Sequence, residues 1–157
     1  MLETRLIAAH CVHIDRGEMR SLMHANAGIA HNPSSNLKLA SGFAPVARMM
    51  EIGCNVGIGT DGTGSNNDLD FFEEIRLASM IAKPVAEDPT ALPAKQVLSM
   101  ATIIGAKSIH MDNLIGSLEP GKRADLILVD LSPVHNQPRF RRDPEAVYAQ
   151  IIYAATS

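Results

Sequence analysis

The sequence predicts an α/β protein built on a parallel sheet. Over the first 110 residues, short apolar runs alternate with longer amphipathic segments in the order strand, helix, strand, helix, strand, helix, helix. Each apolar run also ends in a polar side chain, which is typical of parallel strands that carry reactive groups at their carboxyl ends. With 157 residues, 46% of them apolar, the chain is long enough to bury a core.

The first two strands are predicted from short apolar runs. The run at 6–14 predicts a strand, followed by a polar helical segment from Asp15 to about Asn26. A second run at 27–30 predicts a strand that leads into a polar segment at 31–36. The Asn-Pro pair in that segment indicates a turn, in which the imidazole of its first residue holds the backbone in place.

The third strand carries the strongest candidate for chemistry. Proline near the start and glycine past the end predict a helix through 46–52. The apolar run at 55–60 then predicts a buried strand that stops at Asp61. Gly59 and Gly62 beside Asp61 remove side-chain bulk, so a ligand or metal could approach the carboxylate. The alternative is that Asp61 only caps the turn before the next helix.

The glycines of this strand also match the spacing of a dinucleotide-binding loop, but we reject that interpretation. Gly57 lies inside the predicted strand rather than after it. The helix that follows opens with Asp68 and Asp70, whose carboxylates would repel a phosphate at its N-terminus.

Two more helices are predicted after the third strand. The first covers 68–83, with the side chains of 65–67 as candidates to cap it, and the second runs from about Pro93 to Ile109.

Beyond residue 110 the pattern changes. The Pro120-Gly121 pair suits a type II turn, and residues 124–130 predict a short apolar strand. The sequence Asp143-Pro144 predicts the start of a last helix.

Composition excludes several classes of function. The net charge is −3 and aromatic residues make up 4% of the chain, which argues against nucleic-acid binding. The arginines within 138–142 lie beside Asp143 and Glu145, so they predict a solvated loop and no net basic patch. No apolar run approaches the roughly 18 residues of a membrane span. Cys11 and Cys54 fit no disulfide or metal spacing, which points to a reducing cytoplasm.

Three polar side chains follow the predicted strands: His10, His31 and Asp61. Neighbouring parallel strands would bring them to one edge of the sheet. His10 and Asp61 then form a candidate catalytic pair, in which the carboxylate binds a metal and accepts a proton from its water while the imidazole hydrogen-bonds the substrate or the attacking hydroxide. Each histidine taken alone is more often structural. A catalytic metal usually needs three protein ligands, and the H-x-H, H-E-x-x-H and C-x-x-C patterns do not occur.

Four segments carry a family resemblance, namely 8–13, 31–39, 59–70 and 116–126. They resemble the amidohydrolase superfamily, and within it the methylthioadenosine/S-adenosylhomocysteine deaminases and related chlorohydrolases. The resemblance implies that residues 1–110 are the C-terminal part of a (β/α)8 TIM-type barrel, about three βα units. It implies that residues 111–157 form part of a small β-sandwich and a following helix.

The resemblance also implies a site with one divalent metal, zinc or iron, whose hydroxide displaces ammonia or another leaving group from a heteroaromatic small molecule of the adenosine type. Asp61 resembles the metal ligand and proton shuttle. His10 resembles the histidine that contacts substrate and hydroxide. His31, with Asn32, matches a structural turn near the pocket and is predicted to contribute to substrate binding.

The histidines that complete this family's metal site belong to an N-terminal portion that these residues do not include. We therefore expect the 157-residue chain to be catalytically silent by itself. A part-barrel has open sheet edges, which predict a homo-oligomer or pairing with the missing N-terminal segment. Two alternatives stay open: a chlorohydrolase of the same superfamily, and a non-catalytic assembly module.

Overall fold

The computed structural model of the protein describes residues 5–138 and 142–157. The strands in these residues are β1 (Ile7–Ala9), β2 (Gly28–His31) and β3 (Asn55–Ile58). The helices are α1 (Arg16–His24), α2 (Pro33–Lys38), α3 (Val46–Ile52), α4 (Phe71–Ala86), α5 (Ala94–Met100), α6 (Ile103–Ser108) and α7 (Ala146–Tyr153), with a 3-10 turn at Val134–Asn136.

The three strands form one parallel sheet in the order β1-β2-β3, which confirms the predicted α/β fold. Ala9 pairs with Ala30, and His31 pairs with Ile58. Because the strands run in the same direction, the residues that follow each of them reach the same edge of the sheet. We call this edge the carboxyl rim.

The two faces of the sheet are covered differently. Ile29 and Val56 are fully buried on one face, in a cluster with Met49 of α3 and Ile75 of α4. On the other face, α6 lies so close to Gly28 that a Cβ there would come within 1.7 Å of the Ser108 carbonyl oxygen. Because Gly28 and Gly57 have no side chains, α6 can pack directly on the backbone at these two positions.

β1 is shorter than the apolar run at 6–14 predicts. His10 and Cys11 have φ values of 66° and 47°, so the chain leaves the extended conformation immediately after Ala9. The helix predicted next is confirmed as α1, which begins with a capping box between Asp15 and Glu18.

The interpretation of 31–36 as a turn is wrong in part, because Pro33 opens helix α2 there. Proline suits the first turn of a helix, because a backbone N–H at that position would have no intrahelical hydrogen-bond partner. By contrast, α3 agrees with its prediction, and Gly53 ends it with a φ of 97°.

The single helix predicted from Pro93 to Ile109 is two helices, α5 and α6. The chain turns at Thr102, whose φ and ψ are −128° and −102°. α5 packs against α4 and α7, whereas α6 packs on the sheet. One straight helix could not make both sets of contacts.

The strand predicted at 124–130 is wrong, because these residues have no regular secondary structure. Strands are stabilised by a neighbour that completes their hydrogen bonds. Leu126, Ile127 and Leu128 are instead 59%, 75% and 93% exposed. Within the predicted loop at 138–142, residues 139–141 lie outside the described part of the chain.

The last predicted helix is confirmed as α7, which contacts α4 and α5. The cap predicted for α4 is wrong: Asp70 accepts hydrogen bonds from the backbone of Phe72 and Glu73, and residues 65–67 do not cap the helix. The division of the chain at residue 110 stays a prediction.

The sheet is open at both sides, because β1 and β3 each have one neighbouring strand within the described ranges. Beside β3, a cavity of about 930 Å³ is bounded by Gly57, Ile58, α6 and the segments 115–118 and 125–127. Among residues 5–138 and 142–157, no helix combines the length and the apolar character that crossing a membrane requires.

Candidate active site

His10 lies at the carboxyl rim and is held from one side. Its Nδ1 is 2.8 Å from Asn36 Oδ1 of α2. Because an amide oxygen only accepts, Nδ1 carries the proton in this contact. The other ring nitrogen, Nε2, is 3.8 Å from Asp61 Oδ2. The prediction that an acid and an imidazole from different strands meet at one rim is therefore confirmed.

Asp61 follows β3 with a φ of 60°, in the left-handed region. Two hydroxyl groups donate to the same carboxylate oxygen, Oδ2: Ser35 Oγ at 2.7 Å and Ser65 Oγ at 2.8 Å. The hydrogen bonds from Ser35 and Ser65, together with one from the Gly62 backbone, lower the pKa of Asp61. The carboxylate is therefore ionised at neutral pH and able to bind a cation or accept a proton.

Gly59 permits a close contact next to this carboxylate. A Cβ on Gly59 would lie 2.5 Å from Asn32 Oδ1. The Asn32 side chain also donates from Nδ2 to the Ala30 carbonyl oxygen at 3.3 Å. Glycine at 59 thus leaves room for the Asn32 side chain against the backbone that follows β3.

His31 is buried under the rim. It is 3% exposed, and its Nδ1 has no hydrogen-bond partner among the described residues. Burial, with a smaller contribution from His10, lowers the pKa of His31 to about 4. The imidazole is therefore neutral at physiological pH. The sequence predicted that this imidazole holds the backbone of the turn, but among the described residues its Nδ1 makes no such hydrogen bond. Its role in substrate binding stays a prediction.

This lowered pKa gives a testable pH dependence of stability. Between pH 6.5 and about 4 the unfolded chain binds a proton at His31 that the folded chain does not, so stability should fall as pH falls through that window. The full contribution is about 3 kcal/mol. We expect His31→Leu to flatten the dependence of the unfolding free energy on pH, measured by urea titration. His24→Leu, at an exposed position of α1, is the control, and equal slopes for all three proteins would contradict the assignment.

A second carboxylate lies beneath the loop that follows Asp61. Glu74 of α4 is 1% exposed. Its Oε1 accepts from Asn66 Nδ2 at 2.7 Å, and its Oε2 accepts from the Ser34 backbone N–H at 3.2 Å. Burial raises the pKa of Glu74, while the hydrogen bonds from Ser34 and Asn66 oppose that rise.

At the surface, Lys38 of α2 also hydrogen-bonds to the loop at 61–70. Its Nζ donates to the Gly64 carbonyl oxygen at 3.1 Å and to Asn67 Oδ1 at 2.6 Å. α2 and the loop at 61–70 are thus connected by Lys38 at the surface and by the buried Glu74.

Among the described residues, no three histidine, cysteine, aspartate or glutamate side chains are grouped so that they could hold a metal ion together. The donor set at the rim nevertheless fits one part of a metal centre. Asp61 is an ionised carboxylate at a strand end, with both serine hydroxyls on one oxygen and an imidazole nearby. Asp61 is therefore a candidate for one ligand of such a centre.

Several site residues were not identified from the sequence. Ser35, Asn36, Ser65 and Glu74 lie within predicted turns or helices, where such side chains are common and carry no spacing signal. Only the small hydroxyl residues shortly after each strand end could have suggested the two donors to Asp61.

The fold and the position of these groups are those of an α/β enzyme, because such enzymes have their active sites at the carboxyl ends of parallel strands. The profile of the amidohydrolase family matches residues 1–155. The chain therefore belongs to the amidohydrolase family.

Two relatives and two solved structures show what the chain is similar to. It is 49% identical over 155 residues to a 5-methylthioadenosine/S-adenosylhomocysteine deaminase of Moorella thermoacetica, which covers 99% of this chain and 35% of that protein. It is 46% identical to a 5'-deoxyadenosine deaminase of Methanococcoides burtonii, over 96% of this chain and 33% of that protein. The chain thus spans about a third of the length of the curated relatives it matches.

The first solved structure is an adenosine deaminase from Xanthomonas campestris with bound zinc, which matches with a TM-score of 0.90 and 45% identity over 96% of this chain and 33% of the other. The second is a zinc complex of atrazine chlorohydrolase from Arthrobacter aurescens, with a TM-score of 0.82 and 30% identity over 94% of this chain and 32% of the other.

Proposed function

We propose that this chain is the C-terminal part of a TIM-type barrel in a metal-dependent deaminase that acts on adenosine-type substrates. The observation that carries the proposal is the approach of Asp61 to His10 at the carboxyl rim, where they lie 3.8 Å apart after the ends of β3 and β1. The names of the relatives support the substrate class. Coverage of about a third of each relative, and the two open sides of the sheet, support the assignment as part of a larger barrel.

The metal that we propose is zinc or iron, with Asp61 as its ligand from this chain. When bound, such a metal lowers the pKa of a coordinated water to about 7, which supplies a nucleophile at neutral pH. The zinc in the Xanthomonas campestris structure supports this choice.

The residues of the chain then have distinct roles. The Asp61 carboxylate, whose ionised form is stabilised by hydrogen bonds from Ser35 and Ser65, accepts the proton of the attacking water and delivers it to the leaving amine. Water adds to the ring carbon, the bond from that carbon to the amine breaks, and the products are a ring carbonyl and ammonia. His10, oriented by Asn36, presents Nε2 to the substrate and the attacking oxygen. We assign His31 to substrate binding as well, from its position under the rim.

The partner of the chain follows from the same proposal. The open sides of β1 and β3 would be closed by the remaining strands of the barrel or by a second copy of the chain. Residues 111–157 would contribute part of a β-sandwich, in which the exposed apolar side chains at 126–128 find a neighbouring strand.

A chimera tests the proposal. Residues 1–157 replace the stretch of the Moorella thermoacetica deaminase that they match, so that the rest of that protein supplies the missing portion. We expect the purified chimera to bind zinc and to release ammonia from 5-methylthioadenosine, while the 157-residue chain alone releases none. A folded chimera without deamination would contradict the proposal, and so would a robust metal-dependent activity of the chain alone.

A chlorohydrolase is the second candidate, because atrazine chlorohydrolase has a similar structure. Its identity to this chain is 30%, compared with 49% for the deaminase, so the deaminase is favoured. Chloride release from atrazine by the same chimera, with no ammonia from 5-methylthioadenosine, would reverse that order.

A further inference from the structure

The buried carboxylate of Glu74 connects two elements that are far apart in sequence. Its partners are the backbone N–H of Ser34 at the start of α2 and the side-chain amide of Asn66 in the loop after β3. Asn66 in turn accepts from the Leu69 N–H at 3.1 Å, so its oxygen is engaged and its NH2 is turned toward Glu74. One side chain of α4 therefore ties both elements together below the rim.

Both partners of Glu74 are N–H donors, so both terminal atoms of the side chain at position 74 have to be hydrogen-bond acceptors. A carboxylate meets this requirement, and an amide does not, because its NH2 would face one of the two donors. A donor left without an acceptor in a buried place is costly, which makes this position selective for a carboxylate.

The two anchored residues are the chain neighbours of the residues that hydrogen-bond to Asp61. Ser34 precedes Ser35, and Asn66 follows Ser65. Ser35 and Ser65 donate from opposite elements to the same oxygen of Asp61, at 2.7 and 2.8 Å. The separation of α2 from the loop therefore decides whether both hydroxyls reach that oxygen.

We propose that Glu74 is a positioning residue of the active site, which fixes α2 and the 61–70 loop so that Ser35 and Ser65 both hydrogen-bond to Asp61. The proposal rests on the proposed function, since it concerns the same carboxylate. Glu74 contacts neither substrate nor metal in this role. It acts through the two serines.

The first test compares two identical substitutions on one helix. Glu74→Gln keeps the size of the side chain and leaves one donor without an acceptor. Glu73→Gln makes the same change at an exposed neighbouring position of α4. Loss of a group that orients a metal ligand typically lowers metal affinity or activity about 10- to 100-fold. In the chimera we expect Glu74→Gln to lower by that factor either the zinc affinity, measured by competition with a chelator, or kcat, with KM little changed. Glu73→Gln should leave both the zinc affinity and kcat unchanged.

The second test exchanges the two polar groups. In the double variant Asn66→Asp with Glu74→Gln, the glutamine NH2 donates to the new carboxylate, the glutamine oxygen accepts from Ser34, and the Leu69 N–H keeps an acceptor. Asn66→Asp alone would place two buried carboxylates together. We expect the double variant to recover most of the zinc affinity and kcat that each single variant loses, which a double-mutant cycle quantifies.

The outcomes separate this inference from the proposed function. Wild-type zinc affinity and kcat in Glu74→Gln overturn it. If that variant does not fold, the double variant decides, and a folded double variant as weak as Asn66→Asp overturns the inference. If the wild-type chimera neither binds zinc nor deaminates, the proposed function fails, and a crystal structure of the chimera carrying Glu74→Gln still tests the positioning role. Both serine hydroxyls remaining at their present distances from Asp61 Oδ2 would then contradict it.

Discussion

Asp61→Asn in the chimera should lower kcat for deamination by at least about 100-fold, because general acid–base catalysis by a positioned group contributes about 10²- to 10⁴-fold. Asparagine has no negative charge to bind the metal and cannot take up the proton of the attacking water. It can still accept a hydrogen bond from Ser35 or Ser65, so the loop should keep its conformation. Zinc content, measured on the same preparation, should fall as well.

Asp68→Asn is the matched control for this prediction. Asp68 is exposed and lies in the same loop, where its Oδ1 accepts from the Asp70 N–H. The same change of charge at this position should leave kcat and zinc content within about twofold of the wild type, since screened charges at the surface contribute little. Full turnover and normal zinc content in Asp61→Asn would show that another residue binds the metal and moves the proton.

Gly28→Ala should produce the largest loss of stability from a single methyl group. The new Cβ would lie 1.7 Å from the Ser108 carbonyl oxygen and 2.5 Å from its carbon, and both are backbone atoms that no side-chain rotation can move. α6 would have to shift away from the sheet. We expect the free energy of unfolding, measured by urea titration, to fall by about 3 kcal/mol, the upper end of the usual range for overpacked cores.

The control for this substitution is Gly64→Ala. A Cβ on Gly64 meets nothing within 4 Å, so the same added methyl group should change stability by less than about 0.5 kcal/mol. A Gly28→Ala protein as stable as this control would mean that α6 does not pack against the sheet as described.

Local pattern was sufficient to predict the sheet and the proximity of His10 and Asp61. Apolar runs bounded by glycine and polar residues mark β2 and β3, and parallel pairing then places His10 and Asp61 at one edge. The pairing rule needs no knowledge of the residues between the strands. For this reason a separation of 51 positions between the two residues did not prevent the prediction.

Features that depend on distant partners could not be predicted in this way. The turn at Thr102 divides α5 from α6 because Gly28 and Gly57 leave room for a helix on the sheet, and neither glycine is near it in sequence. The apolar pattern at 124–130 predicts a strand, yet a strand also needs a neighbour to pair with. Glu74 is separated from its partners by 8 and 40 residues, with no motif to connect them.

The backbone at the rim also has a consequence for evolution and engineering. His10, Cys11 and Asp61 all have positive φ values, and each such conformation in a non-glycine residue costs about 1–3 kcal/mol. Selection for heat tolerance alone would favour replacing these residues by glycine or asparagine. If His10 and Asp61 have the roles that we propose, heat-adapted variants of the chimera that remain active should gain their tolerance elsewhere and leave these two residues unchanged.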